Sequence, residues 1–379
     1  MQYLLAGGGT GGHLTPGIAL AQEIRASRPD ASILFAISDR PSDAEALRRY
    51  DLPSVVWGAR RWTDWVDLPT FAALNAIALG RTIDHVHRLR PDVVIALGGY
   101  VAAFPAIAAV VLRRPLVMLE QNVIPGRVTR MLARQASLIG CQWPETVRRV
   151  PIQAPVVITG NPVRREILED RAAKPSDFPG LVDGAPTVLV MGGSQGAHAI
   201  NEAVPAAVPR LLRKLPQVQF LHLTGSADKL AVEGAYRRFG ARACVLDYLD
   251  DMGAAYRCSD VVVSRAGGTS LAEITALGKP AILVPYPHAA DDHQRHNARV
   301  LGERGAAEVI DPNQLTPDIM AARLESLLLD ESARRGMSVR AKEHGRPNAA
   351  SEILAHIDKL LGEQTATQKA DDSRLQTAK

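Results

Sequence analysis

Twice in this 379-residue chain a short apolar run ends in a cluster of glycines and passes into a helical pattern. Segment 3–12, YLLAGGGTGG, is echoed by 188–196, VLVMGGSQG. A second pair, PDVVIALGG at 91–99 and SDVVVSRAGG at 259–268, repeats the theme. A buried strand that ends in small residues and feeds a helix opens a βαβ unit. A series of such units needs a parallel sheet with helices on both faces. Apolar runs at 2–6, 32–37, 93–97, 116–119, 138–141 and 156–159 predict strands, separated by helical periodicity such as 16–27 and 102–112. The series restarts with 187–191, 219–223, 243–246, 261–264 and 281–285.

The fold class is therefore α/β, with two similar Rossmann-like, doubly wound parallel-sheet domains. A 46% hydrophobic content over this length also suits two cores. Open sheets bind ligands beyond the carboxyl ends of their strands, so the four glycine loops are expected to face one central cleft. The domains are placed at 1–163 and 164–348, followed by a C-terminal helix at 349–361. The stretch 171–186, with Pro175, Pro179, Gly180, Gly184 and Pro186, reads as the loop or linker where the second domain starts. The polar tail 362–379 has no apolar period and reads as disordered.

Net charge is +4, unevenly spread. The first 163 residues carry 17 Arg, no Lys and 12 acidic residues, and the remainder is slightly acidic. This bias suits an anionic partner such as phospholipid, pyrophosphate or nucleic acid; a solvated surface explains it equally. The longest apolar run, 101–112, is too short to span a bilayer, and the first residues lack the basic flank of an export signal. Cys141, Cys244 and Cys258 are odd in number and widely spaced, which suits a reducing compartment and no metal-type pair.

Four loops carry the chemistry. In the first, Gly7, Gly9 and Gly12 fit G-x-G-x-x-G, and Asp39 follows the next strand, so a nicotinamide dinucleotide is one reading and a bare tight turn another. His13 stands just past the glycines, before a helix opening near Pro16. It is either a proton acceptor for an attacking hydroxyl or a helix cap. The second loop, 192–197, adds Ser194 as a hydroxyl donor to a phosphate. In the third, Gly267 and Gly268 permit close approach, and Thr269 and Ser270 start a helix whose amides suit a diphosphate. Glu273, one turn on, either accepts ribose hydroxyls or closes a capping box with Ser270. In the fourth, Asp292, His293, Gln294 and Asn297 offer groups for sugar hydroxyls. His288, His293 and His296 beside Asp291 and Asp292 raise a metal site, but at a spacing that fits no known motif.

Three further segments stand out. Glu120, Gln121 and Asn122 end a strand before a Pro125-Gly126 turn and read as cleft contacts or turn formers. Arg164 is placed either to balance pyrophosphate or to sit on the surface. Trp62, Trp65, Val66, Leu68, Phe71, Leu74 and Ile77 follow Arg60 and Arg61, and suit either an anionic membrane surface or a buried helix.

Taken together, GGTGGH, EQN with a following PG, GNPVR, GGSQGA, the glycine-rich segment ending in Glu273, and DHQ with a following NA resemble the MurG family of cell-wall glycosyltransferases over residues 1 to 361. The resemblance implies a GT-B fold with an acceptor-binding, membrane-facing N-terminal domain and a UDP-GlcNAc-binding C-terminal domain. It implies transfer of N-acetylglucosamine to the muramyl 4-hydroxyl of lipid I, with inversion, giving lipid II for peptidoglycan at the cytoplasmic side of the cell membrane. No cofactor, catalytic metal or nucleic acid is implied. His13 matches the family's proposed general base. Thr10, Gly11 and Gly12 match positions on the donor side of the cleft or at the acceptor pyrophosphate. Asn122, Arg164, Ser194, Leu249, the run Gly268, Thr269, Ser270, Leu271, Ala272 and Glu273, and Gln294 match donor contacts. Leu249 and the segment at 266–269 fall where family members vary. A relative with another UDP-sugar or a diacylglycerol acceptor, and a non-catalytic nucleotide-sugar sensor, are the alternatives.

Overall fold

The structure is a computed structural model and describes residues 1–9, 11–57, 68–151, 153–192 and 197–377. The chain forms two compact units. The first comprises Met1–Gln121, Pro125–Pro162 and Asn348–Lys379; the second comprises Asn122–Ile124 and Val163–Pro347.

The first unit runs β1 (Gln2–Gly7), α1 (Gly11–Ser27), β2 (Ser32–Ile37), α2 (Pro41–Arg48), β3 (Ser54–Val56), α3 (Leu68–Leu89), β4 (Val93–Gly98), α4 (Ala103–Val111), β5 (Leu116–Glu120), α5 (Arg127–Leu132), β6 (Leu138–Cys141), α6 (Pro144–Val147) and β7 (Val156–Ile158). Its strands are all parallel, in the order β3-β2-β1-β4-β5-β6-β7. Central β1 is apolar at every core position because helices cover both faces. Tyr3 and Leu5 pack with Leu20 and Ile24 of α1 and with Ile353 and Ile357 near the C-terminus. Leu4 and Ala6 point the other way, toward Ala106 and Ala109 of α4.

The second unit runs α7 (Arg165–Leu168), β8 (Thr187–Met191), α8 (His198–Leu211), β9 (Gln219–Leu223), α9 (Lys229–Phe239), β10 (Arg242–Leu246), α10 (Met252–Arg257), β11 (Val261–Ser264), α11 (Gly268–Leu277), β12 (Ala281–Leu283), α12 (His293–Glu303), β13 (Glu308–Val309), α13 (Pro317–Leu329) and α14 (Glu331–Glu343). This sheet is also parallel, ordered β10-β9-β8-β11-β12-β13. Val188, Val190 and Phe220 pack with Val204 and Val208 of α8 and with Met320 and Leu324 of α13. The chain then returns to the first unit as α15 (Ala349–Thr377), where Asp358 pairs with Arg28.

In each sheet the strand order reverses beside a central pair, β1 with β4 and β8 with β11. The four glycine segments follow these four strands. The strands that lead into them lie at the switch point of each sheet, where doubly wound folds bind ligands.

Several expectations need correction. Edge strands β3 and β13, three and two residues long, went unpredicted because neither has an apolar run of strand length. Helix α1 opens at Gly11, not near Pro16, so Gly11, Gly12 and His13 form its first turn and Pro16 lies inside it. The stretch 171–186 is not an interdomain linker. Phe178 and Leu181 are buried, and the side chain of Gln219 clamps Val182, accepting from its N–H at 2.9 Å and donating to its carbonyl at 2.8 Å. The second unit begins at Val163, beside the boundary placed at 164. Helix α15 continues to Thr377, through the tail read as disordered. The sequence there has no apolar stripe, but its Ala, Gln, Glu and Lys are good helix formers.

One buried polar network ties the second unit together. Asn201 of α8 donates to Thr224 O at 3.0 Å and to Asp228 at 2.8 Å, so its side-chain oxygen accepts from His222 Nε2 at 3.0 Å. The other imidazole nitrogen of His222 then accepts from the Tyr236 hydroxyl at 2.9 Å. Burial holds the His222 pKa down at about 3, so the ring is neutral.

Candidate active site

The glycine turn after β1 is braced from the connection that follows β2. Asp43, 3% exposed, accepts from the Gly9 N–H at 2.8 Å and from the Ser38 hydroxyl. The guanidinium of Arg40 donates to the Gly9 carbonyl. Gly8 and Gly9 adopt φ of 147° and 82°, and a Cβ on Gly8 would lie 2.5 Å from the Asp43 carboxylate. Asp43 thus neutralises part of the turn, at an amide a dinucleotide phosphate would need. Asp39, the ribose partner in the dinucleotide reading, is exposed. Sequence spacing pointed to Asp39; nothing in the sequence singled out Asp43.

His13, in the first turn of α1, is half-buried against the glycine pair that ends β4. A Cβ on Gly98 (φ 103°) would come within 2.8 Å of His13 Cδ2. A Cβ on Gly99 (φ 76°) would lie 2.8 Å from Gly8 O and 3.3 Å from His13 Nδ1. Only glycine fits either place, by backbone conformation and by room. The two glycine segments of the first unit therefore meet around one imidazole. Thr10, expected beside it, lies outside the described residues, as do Trp62 and Trp65.

The EQN segment divides its duties. Glu120 is buried and accepts from Gly126 N and Thr129 Oγ1, both at 2.8 Å, which secures the start of α5. Gln121 donates to Leu97 O at 2.7 Å and takes the Trp143 indole N–H on its own carbonyl at 3.1 Å. Both side chains brace the backbone around them. Asn122 belongs to the second unit, where its side-chain oxygen accepts from Asn297 at 2.9 Å.

In the second unit the turn from β11 into α11 is the centre of the constellation. The helix cap is Gly267, which has no side-chain cap bond, and a Cβ there would meet nothing within 4 Å. There is room beside Gly267 at the amino end of α11, where the helix dipole is positive. Asn297, fully buried, donates to Ala266 O at 3.1 Å and accepts from Val123 N at 2.9 Å. These bonds commit Asn297 to fixing the turn rather than to reading a sugar. Gln294 accepts from Ala266 N at 3.2 Å and Tyr286 N at 3.0 Å. Arg265, buried, donates to the carbonyls of Val284 and Pro285 at 3.1 and 3.0 Å. The backbone from residue 265 to 268 is therefore held from three sides.

Glu273 is 5% exposed and forms no capping box. One carboxylate oxygen accepts from the Tyr256 hydroxyl at 2.9 Å, and the other lies 3.6 Å from the Arg164 guanidinium. Arg164 also lies 3.7 Å from Glu166 and is mostly buried, not a surface arginine. Burial pushes the Glu273 carboxyl up, opposed by Arg164 and the tyrosine bond. Burial likewise holds the Tyr256 phenol well above its usual pKa, with the adjoining carboxylate adding to the effect, so it stays a donor. Tyr256 carried no signal in the sequence.

Gly268, Thr269, Ser270, Leu271, Ala272, Glu273, Gln294, Asn122 and Arg164 thus gather about one turn. Leu249, half-buried between β10 and α10, is not among these partners, and Ser194 lies outside the described residues. Asp251 caps α10, accepting from Ala254 N at 2.9 Å. Among the described residues no group of three or more His, Cys, Asp or Glu could hold a metal ion, and no helix is long and apolar enough to cross a membrane.

Two parallel α/β units, each with a central pair of strands where the order reverses, have the two-domain architecture of the GT-B class. Residues 3–140 match the glycosyltransferase family 28 N-terminal domain, and 187–353 match its C-terminal domain. The chain is 38% identical over 359 residues to the UDP-N-acetylglucosamine–N-acetylmuramyl-(pentapeptide) pyrophosphoryl-undecaprenol N-acetylglucosamine transferase of Anaeromyxobacter dehalogenans, covering 93% of this chain and 91% of the relative. It is 34% identical over 364 residues to the transferase of that name from Thermodesulfovibrio yellowstonii, covering 95% and 99%. The crystal structure of Acinetobacter baumannii MurG matches with a TM-score of 0.72 and 26% identity over 94% of this chain and 99% of that one. The chain belongs to this transferase family. A UDP-GlcNAc 2-epimerase from Neisseria meningitidis, 13% identical with a TM-score of 0.68 over 95% of this chain and 100% of that one, shares the fold alone.

Proposed function

We propose that this protein transfers N-acetylglucosamine from UDP-GlcNAc to the muramyl 4-hydroxyl of undecaprenyl-pyrophosphoryl-MurNAc-pentapeptide (lipid I), with inversion, to form lipid II for peptidoglycan synthesis. One observation carries the reading. The similarity to transferases named for these substrates runs through both units, over 93–95% of the chain, and not through a nucleotide-binding module alone.

The second unit takes the donor. The open amino end of α11 and the Arg164 guanidinium receive the charge that builds on the departing UDP. Ser194, Leu249, Asn122 and Gln294 complete the donor contacts, and Glu273 takes the ribose hydroxyls. The first unit takes the acceptor. His13 removes the proton from the attacking hydroxyl, and Thr10, Gly11 and Gly12 line the substrate beside it. A ring packed against Gly98 and Gly99 has few ways to turn, which suits a base that must be aimed.

The acceptor's lipid brings the protein to the cytoplasmic face of the cell membrane as a peripheral protein. Residues 68–80 contain no charged side chain, and Ala72, Ala73, Ala76 and Ile77 of α3 are exposed. Such a face suits an interfacial helix rather than a buried one, and the arginine-rich first 163 residues suit an anionic surface. The test pairs UDP-GlcNAc, UDP-glucose and UDP-GalNAc with a lipid I analogue and with diacylglycerol, with products read by mass spectrometry. A product only from UDP-GlcNAc and the lipid I analogue is expected; a glycosylated diacylglycerol would reassign the enzyme.

A further inference from the structure

We infer that Tyr256 is a positioning residue for the donor: its hydroxyl holds the Glu273 carboxylate in the orientation that reads the ribose diol of the nucleotide. This rests on the assignment of Glu273 to the ribose made above. Tyr256 sits in α10 and is fully buried, while Glu273, in α11, is 5% exposed. Their 2.9 Å bond is therefore shielded from water. The Tyr256 oxygen is also 3.4 Å from Met191 Sδ at the end of β8. A phenol has one proton, and the carboxyl oxygen, closer and a better acceptor than a thioether sulfur, takes it.

The consequence follows from the shape of a carboxylate. An ionised carboxylate offers about four lone-pair directions and donates nothing. A vicinal diol needs two of those directions at once, in a fixed relative orientation. Left alone on one helix, the Glu273 side chain would be free to rotate about its last torsion, which is broad. Here Tyr256 engages one oxygen and Arg164 faces the other at 3.6 Å, so the plane of the carboxylate is set from two elements. Tyr256 uses a single lone pair and leaves the rest for the sugar. Burial favours the protonated acid, which would turn an acceptor into a donor; the tyrosine bond opposes that change.

A double-mutant cycle tests the inference on the full chain, with UDP-GlcNAc and its 2′-deoxyribose counterpart as donors. Tyr256→Phe keeps the ring in its core site and removes only the hydroxyl. It is expected to raise KM for UDP-GlcNAc about 10-fold, from the loss of a bond to a charged group. The expected change in kcat is small, and KM for the deoxy donor should barely move, so the preference for ribose shrinks. Glu273→Gln should abolish that preference, and adding Tyr256→Phe to it should cost nothing further. Met191→Leu should leave the preference intact. Unchanged ribose preference in Tyr256→Phe, additive losses in the double variant, or a lost preference in Met191→Leu would each overturn the role of Tyr256. A ribose preference that survives Glu273→Gln would instead remove the assignment of Glu273, and the inference with it.

Discussion

His13 owes its position to residues that do no chemistry. Its ring rests on Gly98 and Gly99, whose positive φ values and short contacts admit no side chain. Replacing His13 by Ala is expected to lower kcat by about two to four orders of magnitude, the usual worth of a general base. A rise in KM with kcat retained would make it a substrate-positioning residue. Gly98→Ala should act on the same ring from behind. The strained backbone costs about 1–3 kcal/mol of stability, so Tm should fall, and kcat with it. Affinity for UDP, assigned to the second unit, should stay level; a parallel loss of UDP binding would count against separate roles for the units. At this scale the sequence was informative about glycine, which has few reasons to cluster, and about His13 beside it. It was silent on Asp43 and Tyr256, because a buried carboxylate or phenol is defined by partners distant in sequence. It also misdirected at Asn297, an apparent sugar ligand whose side chain is spent on its own turn.

Elements set the electrostatics. Helix α11 begins on a glycine with open space above it, whereas α10 begins on Asp251, whose carboxylate closes the cap. The first cap leaves its amides without a side-chain acceptor and the second supplies one, a distinction that a count of glycines and acids already hints at. In the proposed reaction, positive charge for the leaving diphosphate comes from the amides of α11 and from Arg164. Turnover is accordingly expected to persist in EDTA, and a loss restored by magnesium would contradict that assignment. A second consequence concerns acid stability. His222, wedged between α8 and α9, keeps a pKa of about 3 in the folded protein, against about 6.5 for an unfolded chain. Between those values the unfolded state binds the extra proton, so stability falls as pH drops below about 6.5, by about 1.4 kcal/mol per unit from this group. Urea midpoints of the wild type and His222→Gln, followed from pH 7 to 4, should converge as the pH falls. Parallel curves would mean that the imidazole does not report on folding.

At the scale of the molecule, the two-sheet plan was legible because buried parallel strands are continuous apolar runs, and eleven of the thirteen strands among the described residues announced themselves that way. What escaped lay at the edges and joins. Strands β3 and β13 are too short to carry a pattern, and the proline-rich stretch after residue 170 has the composition of a loop or linker although Gln219 clasps it. The C-terminal helix returns to the first unit through Asp358 and Ile353, a contact that no local signal encodes. Both units are needed for the proposed reaction, one for each substrate, and its products distinguish it from every other use of this fold. The most direct measurement follows UDP-GlcNAc labelled with carbon in the sugar and phosphorus in the diphosphate, incubated with a lipid I analogue. Equal amounts of carbon label in a β-linked disaccharide lipid and phosphorus label in UDP are expected. Labels that stay together in an epimeric UDP-sugar, or carbon released as free N-acetylglucosamine, would contradict the transfer.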